Sequence, residues 1–126
     1  MIHGIGTDIV AVSRLADLYE RHGERGIDKL LAPAERADCR ASPDRGSFLA
    51  KRFAAKEALG KALGTGIRAP VLLTAIAVAH DHLGKPAFHF APELDAYMES
   101  QQLHAHLSVS DERDYAVAFV VVEKAR

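Results

Sequence analysis

The sequence has little of three features that would assign it to a particular class: cysteine, excess charge and long apolar runs. Cys39 is its single cysteine in 126 residues, so no internal disulfide framework is possible and a reducing cytoplasm is the expected compartment. The 16 Lys and Arg residues against 17 Asp and Glu residues give a formal net charge of −1. Because a nucleic-acid-binding domain normally carries a basic excess, we expect no nucleic-acid partner.

Segments that would insert into or cross a membrane are also missing. The longest uncharged apolar stretch, Ala69–Ala79, is shorter than the roughly 20 residues that a membrane-spanning helix needs. The N-terminus has no basic region of a secretory signal, and Asp8 interrupts its apolar run. We therefore expect a cytoplasmic protein with no membrane partner. Its length predicts a single domain over residues 1–126, with a core that needs no disulfide.

The charges are unevenly distributed along the chain. The segment from Arg14 to Arg68 has twelve Lys and Arg residues against eight Asp and Glu, whereas Asp81 to Asp114 has two against seven. The first half can therefore present a basic face, which suits an acidic protein or a phosphorylated small molecule.

The spacing of apolar residues predicts an α+β fold: helices first, with a mainly antiparallel sheet packed against a long helix. The first strand is followed by a helix from its N-cap Ser13 to about His22, with Gly23 as its stop. The other predicted elements are a helix from Pro33 to Cys39, a long helix over 44–63, a hairpin of strands 75–80 and 87–90, a helix over 92–101, and a hairpin of strands 106–110 and 115–122.

The most informative segment is Phe53–Gly66, which is rich in helix-forming residues and ends at Gly-Thr-Gly, as a helix with a glycine C-cap does. Glu57 and Lys61 are four residues apart and so lie on one helical face. Taken alone, this spacing is typical of a surface ion pair.

A second unusual carboxylate, Asp8, lies in a predicted strand whose apolar residues occupy both faces. Gly4, Gly6 and Asp8 point to the same side, and the two glycines leave room for close approach to the backbone. An ionised aspartate in this setting needs a metal, an arginine or several backbone N–H groups as its partner. The alternative is an aspartate that caps a neighbouring turn.

Together these segments resemble the holo-[acyl-carrier-protein] synthases, the short single-repeat members of the 4′-phosphopantetheinyl transferase superfamily. The resemblance covers essentially the whole chain. It rests on residues 4–10 (GIGTDIV), 52–58 (RFAAKEA), Lys61, 64–66 (GTG), 84–86 (GKP), 106–110 (HLSVS) and 115–118 (YAVA). The chain departs from the family at Asp111, where a histidine is common, and we assign Asp111 no role.

The resemblance implies magnesium-dependent transfer of 4′-phosphopantetheine from coenzyme A to a serine of apo-acyl carrier protein, with release of 3′,5′-ADP, in fatty acid and lipid biosynthesis. Mg²⁺ usually binds through one or two carboxylates beside a substrate phosphate, and Asp8 and Glu57 supply that number if the helix packs across the strand. Lys61 is placed to contact the same phosphates. Either Glu57, directly or through a metal-bound water, or Asp8 is the general base.

The resemblance also implies sites for coenzyme A and for the carrier protein. His106 is expected to contact a coenzyme A phosphate, although its strand pattern alone equally fits a solvent-facing polar edge. Arg52 matches an arginine at the nucleotide end, and Gly84, Lys85 and Pro86 match the turn beside the adenine. The predicted carrier-protein patch consists of Arg14, Leu18, Arg21, Arg25 and Phe53. Its alternative is a solvated basic edge.

Two other functions remain possible from the residues themselves. A coenzyme A or nucleotide pyrophosphatase would use water in place of the serine, but such hydrolases usually have a denser carboxylate cluster. A non-catalytic coenzyme A-binding module would not need paired carboxylates beside a phosphate. Lys56 lies about 100° around the helix from Glu57, so we assign it a structural role first. The resemblance finally implies a homotrimer with the site between subunits.

Overall fold

A computed structural model describes all residues, 1–126. The strands are β1 (Ile2–Ala11), β2 (Ile76–His80), β3 (Pro86–Phe90), β4 (Leu103–Asp111) and β5 (Tyr115–Lys124). The helices are α1 (Val12–His22), α2 (Glu24–Leu30), α3 (Pro33–Ala41), α4 (Arg45–Leu63) and α5 (Pro92–Ser100), and a short 3₁₀ helix covers Leu73–Ala75. The predicted α+β class is confirmed.

Two antiparallel sheets organise the chain. One has the strand order β1-β5-β4, and the other is the β2-β3 hairpin. In the larger sheet Asp8 pairs with Ala118, and Val121 of the same central strand pairs with His106. The inner face of this sheet packs on α4, and Ala118, Val120 and Val122 are buried there.

The long helix α4 is the centre of the fold. It begins after Asp44, whose Oδ1 accepts a hydrogen bond of 3.0 Å from the backbone N–H of Ser47. It ends at Gly64, which has φ of 79° and so closes the helix in the left-handed conformation that glycine adopts without strain. Most of its residues are buried because the sheet covers one side and α1, α3 and β2 contact the rest.

The start of α1 differs from the sequence prediction. The N-cap is Ala11, which makes no side-chain cap hydrogen bond, so the assignment of Ser13 as N-cap is wrong. The physical reason is a long-range contact: Val12 N–H donates to the carbonyl oxygen of Asp114 at 2.8 Å, and the helix therefore starts two residues earlier than predicted. Gly23 ends α1 as predicted, with φ of 54°. The seven-residue α2 after it was not predicted.

The prediction that β1 is covered on both faces is wrong for the single chain. Only the face carrying Gly4, Gly6 and Asp8 is covered, by α4. On the other face Ile5 and Ile9 are 61% and 66% exposed. None of the helices is long and apolar enough to cross a membrane.

Candidate functional site

The site forms where β1 crosses α4, and two glycines make that crossing close. A Cβ atom on Gly4 would lie 2.0 Å from the carbonyl oxygen of Ala62, and one on Gly6 would lie 2.0 Å from that of Ala58. The close backbone approach predicted from these glycines is therefore made by α4. β1 and α4 run in opposite directions, so the step from Gly4 to Gly6 along β1 corresponds to one turn back along α4, from Ala62 to Ala58. Two residues further along β1, Asp8 therefore lies near the turn of α4 that holds Glu57.

Lys61 connects the strand to the helix at this point. Its Nζ donates hydrogen bonds to Asp8 Oδ1 at 3.0 Å and to the carbonyl oxygen of Thr7 at 2.9 Å. The Asp8 side chain is 17% exposed, whereas that of Lys61 is 54% exposed. An ammonium has three N–H donors, so one donor of Lys61 is free for a ligand approaching from solvent.

Glu57 lies on the same side of α4 but does not pair with Lys61. The surface ion pair that the four-residue spacing suggests does not form, since Lys61 pairs with Asp8 instead. Burial raises the pKa of the Glu57 carboxyl, and the neighbouring Asp8 charge raises it further, while Lys61 and Arg14 act in the opposite direction. The two carboxylates are thus close enough to repel each other, and a bound cation would relieve that repulsion.

The donor set fits a hard cation that takes only part of its shell from protein. No group of three or more His, Cys, Asp or Glu side chains that could hold a metal is present. Asp8 and Glu57 offer two carboxylates, and Mg²⁺ usually takes one or two from a protein when substrate phosphates and water complete its shell. A metal bound by protein side chains alone would not be satisfied here.

The predicted carrier-protein patch spans α1 and α2, with Phe53 contributed by α4. Arg14 and Arg21 are exposed on α1, and Arg25 lies beyond Gly23 on α2 rather than on the first helix. The Arg14 guanidinium lies 5.4 Å from the centre of the Phe53 ring.

Two grooves follow this surface, and the half-buried Leu18 lines both. One, of about 280 Å³, also contacts Arg14 and Arg21. The other, of about 420 Å³ between α1 and α2, also contacts Arg25 and Lys29. The exposed cations of these grooves outnumber their one acidic lining residue, Asp17, and such a surface is complementary to an acidic, amphipathic partner.

His106 lies on the opposite face of the sheet from Asp8. Asp8 pairs with the buried Ala118, whereas His106 pairs with Val121 on the outer face, because alternate residues of β5 point to opposite sides. The His106 ring nitrogen Nε2 is 2.6 Å from Glu123 Oε1, beside a surface cavity of about 570 Å³. Within one chain, His106 and the Asp8–Lys61 pair are not brought together.

The residues predicted for the nucleotide end form a third group. Gly84, with φ of 87°, and Lys85 lie at the exposed tip between β2 and β3, and Pro86 begins β3. Asp81 Oδ1 accepts hydrogen bonds from the backbone N–H of Leu83 and of Lys85, which fixes the turn.

Arg52 lies on the same side of the molecule as this hairpin. It is nine residues before Lys61 and therefore about 180° around α4 from it. The charges of Arg52 and Lys51 help to lower the pKa of His80 at the end of β2, after burial of that imidazole. The Arg52 side chain is only 11% exposed, with its guanidinium carbon 4.4 Å from the Phe48 ring centre.

Sequence reasoning missed a buried glutamate that binds this side of α4. Glu35 is 2% exposed, and its Oε2 lies 3.1 Å from Arg52 Nε, while its Oε1 accepts a 2.6 Å hydrogen bond from Lys56 Nζ. Lys56 is fully buried, which lowers the pKa of its ammonium to about 8, and the Glu35 charge opposes that shift. The available signal was Pro33 at the helix start followed by a glutamate in the first turn.

A sequence model of the 4′-phosphopantetheinyl transferase superfamily matches residues 4–120. The holo-[acyl-carrier-protein] synthase of Dechloromonas aromatica is 59% identical to this chain, over 99% of the chain and 100% of the relative.

Solved structures agree with these sequence matches. A crystal structure of the Neisseria meningitidis holo-[acyl-carrier-protein] synthase superimposes with a TM-score of 0.95 at 46% identity, covering 98% of this chain and 100% of that one. The Bacillus anthracis enzyme, solved in complex with CoA (3′,5′-ADP), superimposes with a TM-score of 0.83 at 34% identity, covering 99% of both chains.

Proposed function

Since the chain belongs to the 4′-phosphopantetheinyl transferase superfamily, as its motifs predicted, we propose that it transfers 4′-phosphopantetheine from coenzyme A to apo-acyl carrier protein. The observation that carries the proposal is the meeting of Asp8, Glu57 and Lys61 where β1 crosses α4. The name of the Dechloromonas relative supports acyl carrier protein as the acceptor of the group. The CoA complex of the Bacillus relative supports coenzyme A as its donor.

The reaction requires one proton transfer and one displacement at phosphorus. The serine hydroxyl of the carrier protein loses its proton as its oxygen bonds to the β-phosphorus of coenzyme A, and the bond from that phosphorus to the bridging oxygen breaks, releasing 3′,5′-ADP. We propose Glu57 as the general base that accepts the serine proton, because its carboxylate has no ion-pair partner. The carboxylate of Asp8, in contrast, pairs with Lys61. Asp8 is the alternative base.

We further propose that Asp8 and Glu57 hold Mg²⁺ during the reaction. The repulsion between the two carboxylates, which a bound cation would relieve, supports this assignment. When bound, the ion would polarise the pyrophosphate and balance the charge that develops there. Because phosphoryl transfer needs little covalent chemistry from the protein, positioning and charge are what these residues supply.

Lys61 is proposed to bind the pyrophosphate as it breaks. Two of its three N–H donors are held by Asp8 and Thr7, which fixes the ammonium at the mouth of the site. The remaining donor is then oriented for a phosphate oxygen without a large loss of side-chain freedom. Its effect should therefore be greatest in the transition state.

The arginine surface of α1 and α2 is proposed to dock the carrier protein. Arg14, Arg21 and Arg25 supply charges that would steer an acidic partner, and Leu18 and Phe53 supply apolar contacts. Arg14 also lies close enough to Glu57 for its charge to lower the pKa of that carboxyl. This proximity of Arg14 to Glu57 supports a docking surface beside the proposed site.

A second copy of the chain is proposed to complete the coenzyme A site. His106 lies across the sheet from Asp8, so one chain alone does not combine the residues assigned to coenzyme A. The same outer face exposes apolar side chains that a second copy could cover: Ile5, Ile9, Tyr115, Val117 and Phe119. We propose the homotrimer implied by the family resemblance, with His106 acting across the subunit boundary.

Arg52 and the hairpin tip at Gly84, Lys85 and Pro86 are proposed to contact the nucleotide. Their shared location near the end of β2 supports a joint role. We take residues 1–126 as one catalytic domain. The proposed cellular role is activation of carrier proteins for fatty acid biosynthesis in the cytoplasm.

Incubation with apo-acyl carrier protein, coenzyme A and magnesium, followed by mass spectrometry of the carrier protein, tests the proposed function. A transferase adds the mass of phosphopantetheine to the carrier protein and releases 3′,5′-ADP in equal amount. A pyrophosphatase releases 3′,5′-ADP but leaves the carrier mass unchanged. A binding module does neither, and either of the last two results would reject the proposal.

A further inference from the structure

The buried side of α4 carries a charged cluster of Glu35, Lys56 and Arg52, and the proposed chemistry uses neither Glu35 nor Lys56. Both carboxylate oxygens of Glu35 have polar partners in the protein. Oε1 accepts hydrogen bonds from the backbone N–H of Ala32 at 3.0 Å and from Lys56 Nζ at 2.6 Å. Oε2 accepts one from the backbone N–H of Val78 at 3.0 Å and lies 3.1 Å from Arg52 Nε. One carboxylate therefore joins α3, α4 and β2.

Lys56 is equally constrained. Its Nζ donates to Glu35 and to the carbonyl oxygens of Leu30 at 2.8 Å and Leu73 at 2.9 Å. All three N–H donors of a charged ammonium are thus satisfied, although the side chain has no contact with solvent. A buried charge of this kind persists only with a full set of partners, so the position of Lys56 is closely determined by them.

The residue after Lys56 is Glu57, so this cluster fixes the helical turn that carries the proposed site. On its other side the same helix is held by β1, where no atom fits between Gly6 and Ala58. The cluster and the strand therefore clamp α4 from opposite sides. A shift at the cluster would be transmitted to Glu57 and Lys61, because a helix moves as a rigid element.

We propose that Glu35 is a positioning residue for the Asp8–Glu57–Lys61 site, acting through Lys56. This inference rests on the proposed function. Loss of the Glu35 charge would leave Lys56 and Arg52 as buried cations without their carboxylate, and α4 would have to move or admit water. A displacement of about 1 Å at a catalytic group is enough to cost roughly 100-fold in rate.

The test compares Glu35→Gln with two controls, at a temperature where circular dichroism shows every variant folded. Glu24→Gln removes a glutamate that also pairs with an arginine, Arg40, but at the surface. Leu94→Ala destabilises the core at α5, a helix that packs mainly on β3 and β4. We expect Glu35→Gln alone to lower kcat by about 10- to 100-fold and to raise the magnesium concentration for half-maximal rate, with an unchanged KM for the carrier protein.

Two further measurements separate positioning from loss of stability. The double variant Glu35→Gln/Lys56→Met should lose no more kcat than the worse single variant, because both changes break one connection. Hydrogen–deuterium exchange without substrate should speed up in the segment 52–60 of Glu35→Gln and stay unchanged in β5. If Glu35→Gln does not fold, kcat, the magnesium dependence and the exchange of segment 52–60 are measured in Lys56→Met against the same controls.

A folded Glu35→Gln with wild-type kcat and magnesium dependence would overturn the inference. So would a fall in kcat that Leu94→Ala matches at equal stability, or multiplicative losses in the double variant. Inactivity of the wild-type chain toward the carrier protein would instead reject the proposed function. The exchange measurement would still report whether Glu35 holds the helix.

Discussion

The close crossing of β1 and α4 makes Gly6→Ala a severe test of the structure. The added Cβ would lie 2.0 Å from the carbonyl oxygen of Ala58 and 2.8 Å from the backbone nitrogen of Ala62. Non-bonded heavy atoms approach to about 3.5 Å, so the strand and helix must separate by roughly 1.5 Å. Overpacking typically costs about 1–3 kcal/mol, and the clash here is with helix backbone that no rotamer change relieves. We expect a loss of about 3 kcal/mol in the free energy of unfolding.

Chemical denaturation of Gly6→Ala and of a matched control measures this loss. In Gly26→Ala the new Cβ would lie 2.8 Å from Cδ2 of Leu18, the end of a side chain that can move. Because alanine is also the better helix former, Gly26→Ala should stay within about 1 kcal/mol of the wild type. Folded Gly6→Ala should transfer phosphopantetheine about 100-fold more slowly, since Asp8 is displaced from α4. Wild-type stability and activity in Gly6→Ala would refute the reasoning.

Three other predictions concern the site, the docking surface and the core. Lys61→Ala should lower kcat more than it raises the KM for coenzyme A, with a loss of about 2–4 kcal/mol in transition-state stabilisation. An effect confined to the KM for coenzyme A would instead make Lys61 a binding residue only. Arg14→Glu and Arg21→Glu should each raise the KM for the carrier protein and weaken its salt dependence, and a change limited to coenzyme A binding would reverse the assignment. Cys39 is fully buried, and burial raises the pKa of its thiol, so iodoacetamide should label it only after unfolding; rapid labelling of the native protein would contradict its placement.

Prediction from the sequence was most accurate where residue spacing or a helix-end residue determines the local structure and the packing of the fold is consistent with it. Gly4 and Gly6 share a face with Asp8, which was enough to predict a close backbone approach at that face. The long helix was predicted over 44–63 and lies at Arg45–Leu63, with the predicted glycine stop at Gly64, although Asp44 was not predicted as its N-cap. Glu57 and Lys61 could be placed on one face by spacing alone, but the partner of Lys61 could not, because Asp8 is 53 residues away in the chain.

The errors arose where distant segments decide the structure. Ser13 has the chemistry of an N-cap, yet the carbonyl oxygen of Asp114 caps the first turn of α1. The apolar residues on both faces of β1 indicated two covering layers, and the single chain supplies one of them. Glu35 shows no periodic pattern, and its importance appears only when α3, α4 and β2 are brought together.

The most direct test of the central claim is the mass of apo-acyl carrier protein after incubation with coenzyme A, with either the wild-type chain or Glu57→Gln, over a range of magnesium concentrations. Glutamine keeps the shape of Glu57 and removes its charge, so the fold should be retained. We predict complete conversion to the phosphopantetheine-bearing form with the wild type and none with Glu57→Gln at any magnesium concentration. Near-normal conversion and magnesium dependence with Glu57→Gln would contradict the assignment of this site.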